Sequence, residues 1–215
     1  MIKSSIYISL LVSSLLAHAQ LPLSLTSPDG QLTLKLEEQQ NQIVYSVTYG
    51  KQVFLEPSQL GLNTNLGDLS QSLKYKSHTT ASIKESYKLH NAKASEINYT
   101  ANTLKVQFEN KDGRVLGVQF NVSDHDVAFR YQVTGVETDT RIKVLSEYSA
   151  FNLPDDATTF ISPQALPETG WMQTKPSYEE PYTFNEALGT PSANGVGYTF
   201  PALFKNSDKG SASRS

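Results

Sequence analysis

The chain has 215 residues, of which 38% are apolar and 18% are charged, and its formal net charge is −3. This mild acidity has no run of one sign, which argues against nucleic acid and anionic membranes as partners because both require a basic face. The chain has no cysteine, so disulfides and a thiol nucleophile are excluded. Its 11 tyrosines and 9 phenylalanines favour a folded domain over a disordered one.

The N-terminus has the pattern of a cleavable secretory signal. Lys3 precedes an apolar run from Ile6 to Leu16, and Ala17-His18-Ala19 supplies the small residues of a cleavage site. The run is shorter than the about 20 apolar residues that a membrane-spanning helix needs. The sequence therefore predicts a signal peptide over residues 1–19 and a periplasmic or secreted protein.

Alternation of apolar and polar residues dominates the following part of the chain and predicts antiparallel hairpins. The alternating runs are separated by turn sequences such as Ser27-Pro28-Asp29-Gly30, Asn110-Lys111-Asp112-Gly113 and Ser123-Asp124-His125-Asp126. Each run has one apolar face, so two sheets are expected to pack face to face. The apolar positions are Leu32, Leu34, Leu36, Ile43, Tyr45, Val47, Tyr49, Leu104, Val106, Phe108, Leu116, Val118, Phe120, Val122, Val127, Phe129, Tyr131 and Val133.

Three stretches depart from this pattern. Residues 82–97 have no helical period, which favours an exposed strand pair or a long loop, and residues 154–201 are rich in proline and predict irregular loops. The polar end of the chain predicts a disordered or aberrant tail over residues 206–215. The predicted domain is thus an all-β sandwich over residues 20–205.

Few side chains form a pattern typical of catalysis. The histidines are dispersed, and His125 in a turn between two aspartates indicates a solvated turn. The best local candidate is Tyr178-Glu179-Glu180-Pro181-Tyr182, whose adjacent carboxylates could bind calcium or face a sugar ring. An acidic surface loop is the alternative. The single tryptophan, Trp171, is either an anchor for domain packing or a platform for a sugar.

Several segments, in this order, resemble the N-terminal domain of glycoside hydrolase family 97. The resemblance spans about residues 23–204, and its specificity comes from the order and spacing of the segments. The segments are Ser27-Pro28-Asp29-Gly30-Gln31-Leu32, Ile43-Val44-Tyr45-Ser46-Val47-Thr48-Tyr49, Glu56-Pro57-Ser58-Gln59-Leu60-Gly61-Leu62, Asp126-Val127-Ala128-Phe129-Arg130-Tyr131, Phe151-Asn152-Leu153-Pro154-Asp155-Asp156-Ala157, Tyr178-Glu179-Glu180-Pro181-Tyr182 and Thr190-Pro191.

The resemblance implies an antiparallel β-super-sandwich of the galactose-mutarotase-like type, followed in the family by a catalytic (β/α)₈ barrel that this chain lacks. It also implies an exported α-glucosidase or α-galactosidase acting on oligosaccharides. The catalytic carboxylates would lie on the barrel, so no catalytic residue is assigned here. The family's N-terminal domain packs on the barrel and lends a glutamate to a calcium site, which corresponds to Glu179 or alternatively to Glu180.

Two other interpretations keep the predicted fold. The chain could be a stand-alone carbohydrate-binding module, with Trp171 as a candidate substrate-binding residue, or an exported structural sandwich without sugar chemistry. If the chain is the first domain of a glycosidase, it is expected to be inactive alone. The sequence does not distinguish glucosides from galactosides, and it does not distinguish an inverting from a retaining mechanism.

Overall fold

A computed structural model of the chain describes residues 21–206, except for residues 92, 94, 136, 138, 165–180 and 194. Within these residues all regular structure is β, and every strand pairing is antiparallel. The same residues include no helix that could cross a bilayer. The all-β class predicted from the alternation is confirmed.

Two four-stranded sheets form the body of the fold. The first has the strand order β1-β2-β3-β4, and the second has the order β10-β9-β8-β7. The strands of the first sheet are β1 (Leu23–Thr26), β2 (Leu32–Gln39), β3 (Gln42–Tyr49) and β4 (Gln52–Gln59). Those of the second are β7 (Lys74–Lys88), β8 (Glu96–Glu109), β9 (Val115–Ser123) and β10 (Val127–Thr134).

Two smaller sheets flank this body, each with three strands. The third sheet has the order β11-β5-β6 and the fourth has the order β13-β12-β14. The third sheet consists of β5 (Leu62–Thr64), β6 (Gly67–Leu69) and β11 (Val144–Glu147). The fourth consists of β12 (Thr158–Ile161), β13 (Thr183–Phe184) and β14 (Leu203–Lys205).

The core lies between the two large sheets, where the alternating residues of both meet. In the first sheet Leu34 pairs with Val47 and Leu36 with Tyr45, so these four side chains share one buried face. The second sheet presents a matching row from β8 and β9, in which Leu104 pairs with Phe120 and Val106 with Val118. Apolar faces packed in this way stabilise the sandwich by removing hydrocarbon from water.

An aromatic cluster of Tyr45, Phe120 and Phe129 joins the two sheets. The ring centroids are separated by 5.9 Å for Tyr45 and Phe120, 5.6 Å for Tyr45 and Phe129, and 5.8 Å for Phe120 and Phe129. All three pairs are tilted, as aromatic pairs prefer. The Tyr45 hydroxyl also donates to the Ala150 carbonyl at 3.0 Å, so this polar group is bonded within the fold.

Residues 82–97 form an exposed strand pair, one of the two structures that the sequence allowed. β7 pairs with β8 from Lys74 through Lys88, but β9 pairs with β8 only from Ala101 onward. The outer part of this hairpin is therefore a two-stranded ribbon with most side chains in solvent.

Residues 154–201 are mainly irregular where described, as expected from their prolines, but they also contain β12 and β13. These strands have 4 and 2 residues, which is too short for apolar alternation to be recognisable.

Phe120→Ala is expected to destabilise the sandwich strongly. The Phe120 side chain is 0% exposed, and truncation of a buried phenylalanine leaves a cavity that costs about 3–5 kcal/mol. Phe184→Ala is the matched control, because Phe184 is 71% exposed and its loss should cost less than about 1 kcal/mol. Urea unfolding of both variants measures the difference, and similar losses would contradict this account of the core.

Tyr45→Phe is expected to make stability less sensitive to alkaline pH. Burial, assisted by Tyr131 nearby, raises the pKa of the Tyr45 phenol well above its ordinary value of 10.0. Below about pH 10 the phenol is protonated in both the folded and the unfolded chain. Above the unfolded pKa the unfolded chain loses this proton first, so the free energy of unfolding falls. The variant should lose about 1 kcal/mol at neutral pH through its missing hydrogen bond. Above about pH 10 its free energy of unfolding should fall less steeply than that of the wild type. The measurement is the free energy of unfolding as a function of pH. Parallel profiles for the variant and the wild type would show that Tyr45 does not dominate the alkaline loss of stability.

Candidate functional site

The described residues on either side of the sequence-predicted site residues lie at or next to the fourth sheet. Trp171, Glu179 and Glu180 belong to residues 165–180, which lie outside the described residues. Before this segment the Gln164 amide donates to the Gly197 carbonyl at 2.9 Å, and Pro163 bridges Tyr198. After it, β13 pairs with β12 through Phe184 and Phe160. Residues 165–180 therefore follow a segment that continues from β12 and precede β13 of the same small sheet.

Tyr182 anchors the chain directly after the candidate glutamates. Its ring stacks on Phe160, with centroids 4.6 Å apart and planes 9° apart. Phe184 meets the same Phe160 ring edge-on at 4.8 Å. The chain is thus held on the fourth sheet from Tyr182 onward.

An apolar strip crosses the outer face of the fourth sheet. Phe160 pairs with Phe184 on one side and with Leu203 on the other, so the three side chains share one face. Phe184 is 71% and Leu203 is 64% exposed. The strip consists of Phe160, Phe184 and Leu203, and a contiguous exposed apolar patch of this kind is typical of an interaction surface.

Glu186 is a polar centre behind this strip that sequence reasoning missed. Its Oε2 accepts hydrogen bonds from the Tyr198 hydroxyl at 3.1 Å and from the Thr183 hydroxyl at 3.3 Å. Desolvation and the Glu186 carboxylate both raise the pKa of the Tyr198 phenol. No spacing in the sequence pairs these residues, since their contact depends on the turn at Gly195 and Gly197, where both glycines have positive φ.

The turn between β9 and β10 contains His125, and the structure shows the exposed turn that the sequence favours. Ser123 organises it, because its buried hydroxyl donates to Asp126 Oδ2 at 2.6 Å and accepts from the Asp126 amide at 3.0 Å. Asp124 Oδ1 accepts from the Asp29 amide at 2.9 Å, which connects this turn to the turn after β1. The two aspartates thus have fixed partners.

A groove of about 580 Å³ lies beside this turn, and we call it the Tyr49 groove. It is bounded by Tyr49 at the end of β3, Phe54 in β4, the turn residues Asp124 and Asp126, and Asn206 after β14. The Asn206 side chain donates to the Val53 carbonyl at 3.0 Å, which holds the end of β14 against β4. This groove could not be predicted from the sequence, because the residues that bound it come from three distant segments.

The remaining histidines do not form a metal centre. Tyr75 hydroxyl and His78 Nδ1 are hydrogen-bonded at 2.7 Å, and His90 is exposed beyond β7. Within the described part of the chain, no group of three or more His, Asp or Glu side chains could hold a metal ion.

Comparison with known proteins assigns the fold to a family. The model of the glycosyl-hydrolase 97 N-terminal family matches residues 25–213. The chain belongs to this family. The resemblance found in the sequence is thereby confirmed, and the sandwich with its two small sheets is the structure of a glycosyl-hydrolase 97 N-terminal domain.

Solved structures show the same relationship. The chain is 40% identical to a crystal structure of a β-arabinopyranosidase, with a TM-score of 0.80, covering 85% of this chain and 29% of that one. A glycoside hydrolase family 97 enzyme from Pseudoalteromonas sp. strain K8, solved with panose, is 20% identical with a TM-score of 0.68. That match covers 86% of this chain and 27% of the enzyme, and at this identity it shows the fold alone.

A curated relative is the probable retaining alpha-galactosidase of Streptomyces bingchenggensis (strain BCW-1). It is 28% identical over 131 residues, which are 61% of this chain and 20% of the relative. The chain therefore spans less than a third of the length of each of these three proteins.

Ser123→Ala is expected to destabilise the glycosyl-hydrolase 97 N-terminal domain by about 1–2 kcal/mol, because the variant leaves polar groups of the β9–β10 turn without a partner. Ser82→Ala is the control, since Ser82 makes its hydrogen bond to Asn102 in an exposed position. Chemical unfolding followed by tyrosine fluorescence measures both. Equal stability of the two variants would show that the Ser123 hydroxyl does not organise the turn.

Proposed function

We propose that this chain is the N-terminal domain of an exported, calcium-dependent glycosidase that acts on oligosaccharides. The observation that carries the proposal is the family match over residues 25–213. Two relatives support it by their names, a β-arabinopyranosidase at 40% identity and an α-galactosidase at 28%.

The substrate class proposed is an α-linked galactoside or a β-linked arabinopyranoside. An α-D-galactopyranoside and a β-L-arabinopyranoside have the same ring configuration, and they differ only in the hydroxymethyl group at C5. One active site can therefore accept both if it tolerates that group, because an extra carbon in a pocket changes binding by only about 1–3 kcal/mol. An α-linked glucoside is the alternative, and it differs in the orientation of the 4-hydroxyl.

In this proposal the catalytic carboxylates lie in a part of the polypeptide that follows this domain. The relatives are more than three times as long as the region they share with this chain, which leaves room for such a part. The strip of Phe160, Phe184 and Leu203 supports a docked arrangement, because contact with a neighbouring domain would remove these exposed apolar side chains from water.

The calcium proposal assigns one ligand to this domain, the carboxylate of Glu179 or alternatively of Glu180. Carboxylate oxygens are ligands that Ca²⁺ prefers, and it takes six to eight oxygens in all. The anchor at Tyr182 supports the assignment, since Tyr182 follows the glutamates closely in the sequence and stacks on the sheet that bears the apolar strip. The other ligands would come from the catalytic part, and bound calcium would help to hold and polarise the sugar.

Export is proposed from the pattern of residues 1–19. A glycosidase of oligosaccharides in the periplasm or outside the cell meets its substrates there, and a cysteine-free domain depends on no disulfide in that compartment.

We expect the complete polypeptide that carries this domain to hydrolyse 4-nitrophenyl α-D-galactopyranoside and β-L-arabinopyranoside faster than the α-D-glucopyranoside. Removal of calcium with EGTA should lower the rate, and added calcium should restore it. Glu179→Gln should raise the calcium concentration needed for half-maximal activity by at least about tenfold.

Glu180→Gln is the internal comparison, and Glu96→Gln is the control because Glu96 is exposed at the start of β8. A larger effect of Glu180→Gln than of Glu179→Gln would assign the ligand role to Glu180. Unchanged calcium dependence in Glu179→Gln and in Glu180→Gln would show that neither glutamate is a calcium ligand. Absence of turnover on all three glycosides would overturn the proposed function.

A further inference from the structure

We propose that the Tyr49 groove binds a pyranose unit of a carbohydrate chain. The proposal takes from the proposed function only the class of ligand, a galacto- or arabino-configured sugar. The groove itself is defined by the described residues, and it does not depend on Glu179, Glu180 or Trp171.

The apolar wall of the groove matches one face of a sugar ring. Tyr49 and Phe54 are 52% and 47% exposed, and both line the groove. Half-exposed aromatic rings are costly to leave in water, and the C–H face of a pyranose can stack on them. Beneath them lie the buried side chains of Leu32 and Val47, so these two rings rest on the packed core and have little freedom to collapse.

The polar rim matches the hydroxyl edge of the same ring. Asp124, Asp126 and Asn206 line the groove. Asp124 and Asn206 are hydrogen-bonded to distant segments, and Asp126 is bonded to Ser123 within its own turn. A carboxylate offers about four acceptor positions, so both aspartates retain capacity beyond these bonds. Carboxylates can accept from sugar hydroxyls, and the Asn206 carbonyl oxygen can do the same while its Nδ2 is bonded to Val53.

The combination favours a neutral, hydroxyl-rich ligand over other occupants. Two carboxylates at the rim disfavour an anion, while Lys205 and His125 beside them weaken the attraction for a cation. The volume of about 580 Å³ falls within the roughly 300–1,000 Å³ of small-molecule sites, which combine apolar walls with a few placed polar groups. An entirely apolar partner would leave the two carboxylates without water.

Isothermal titration of the full chain with methyl α-D-galactopyranoside and methyl β-L-arabinopyranoside tests the proposal. We expect both sugars to bind with a dissociation constant in the millimolar range. Tyr49→Ala and Phe54→Ala should each weaken binding by about tenfold or more, whereas Tyr49→Phe should retain it because the ring is kept. Tyr87→Ala is the matched control, since Tyr87 is a similarly exposed aromatic residue in β7 that does not line the groove.

Urea unfolding of each variant separates loss of binding from loss of the fold. Binding that survives Tyr49→Ala and Phe54→Ala, or that is lost equally in Tyr87→Ala, would overturn the groove as the site. Absence of heat with the folded wild-type chain at 50 mM sugar, about fifty times a 1 mM dissociation constant, would also overturn it. Turnover by the complete polypeptide is measured separately, so either proposal can fail while the other stands.

Discussion

Packing of the Tyr45, Phe120 and Phe129 rings between the two large sheets is the interaction on which the rest of the structure depends. Phe129 also contacts Tyr131 and Phe151, with centroid distances of 5.6 Å and 6.2 Å. The Tyr131 hydroxyl accepts from the Gly61 amide at 3.0 Å, next to the third sheet. Gly61 cannot be replaced without strain, because a Cβ there would lie 2.5 Å from the Ser70 Cα. One aromatic cluster thus fixes three sheets relative to one another.

Much of the fold of the two large sheets could be predicted from the sequence, because the patterns that determine it lie within short stretches of the chain. Alternation places Leu34 and Leu36 on one face of β2 and Tyr45 on the apolar face of β3. Turn residues such as Asp29-Gly30 mark where the chain reverses. The Gly30 amide donates to the Ser27 carbonyl at 3.0 Å, as the turn sequence indicates. The family could also be recognised, since the order of short segments persists where no single motif is decisive.

The small sheets and the Tyr49 groove could not be predicted, because each is formed by residues that lie far apart in the sequence. β12 pairs with β14 through Thr158 and Lys205, and 46 residues separate these two positions in the sequence. Strands of 2 to 4 residues have too few positions for a period to show. The groove brings Tyr49, Asp124 and Asn206 together, and no local sequence pattern at one of these residues predicts that the other two lie nearby. Local sequence marked Glu179 and Glu180 as adjacent carboxylates, and only the resemblance singled out one of them as a calcium ligand, which stays a prediction.

The segments that precede β12 and follow β14 are hydrogen-bonded to β4 of the sandwich, which bears on the role of the domain. The Glu56 amide donates to the Asn152 carbonyl at 2.8 Å, and the Asn152 amide donates to the Ser58 hydroxyl at 2.9 Å. At the other end Asn206 is bonded to Val53. A side chain offered to a site completed by another domain must be positioned to about 0.5 Å. Attachment of both segments to β4, a strand of the packed sandwich, favours such positioning. In the proposed function the sandwich is the support for the fourth sheet, and the exposed strip of Phe160, Phe184 and Leu203 would face the catalytic part.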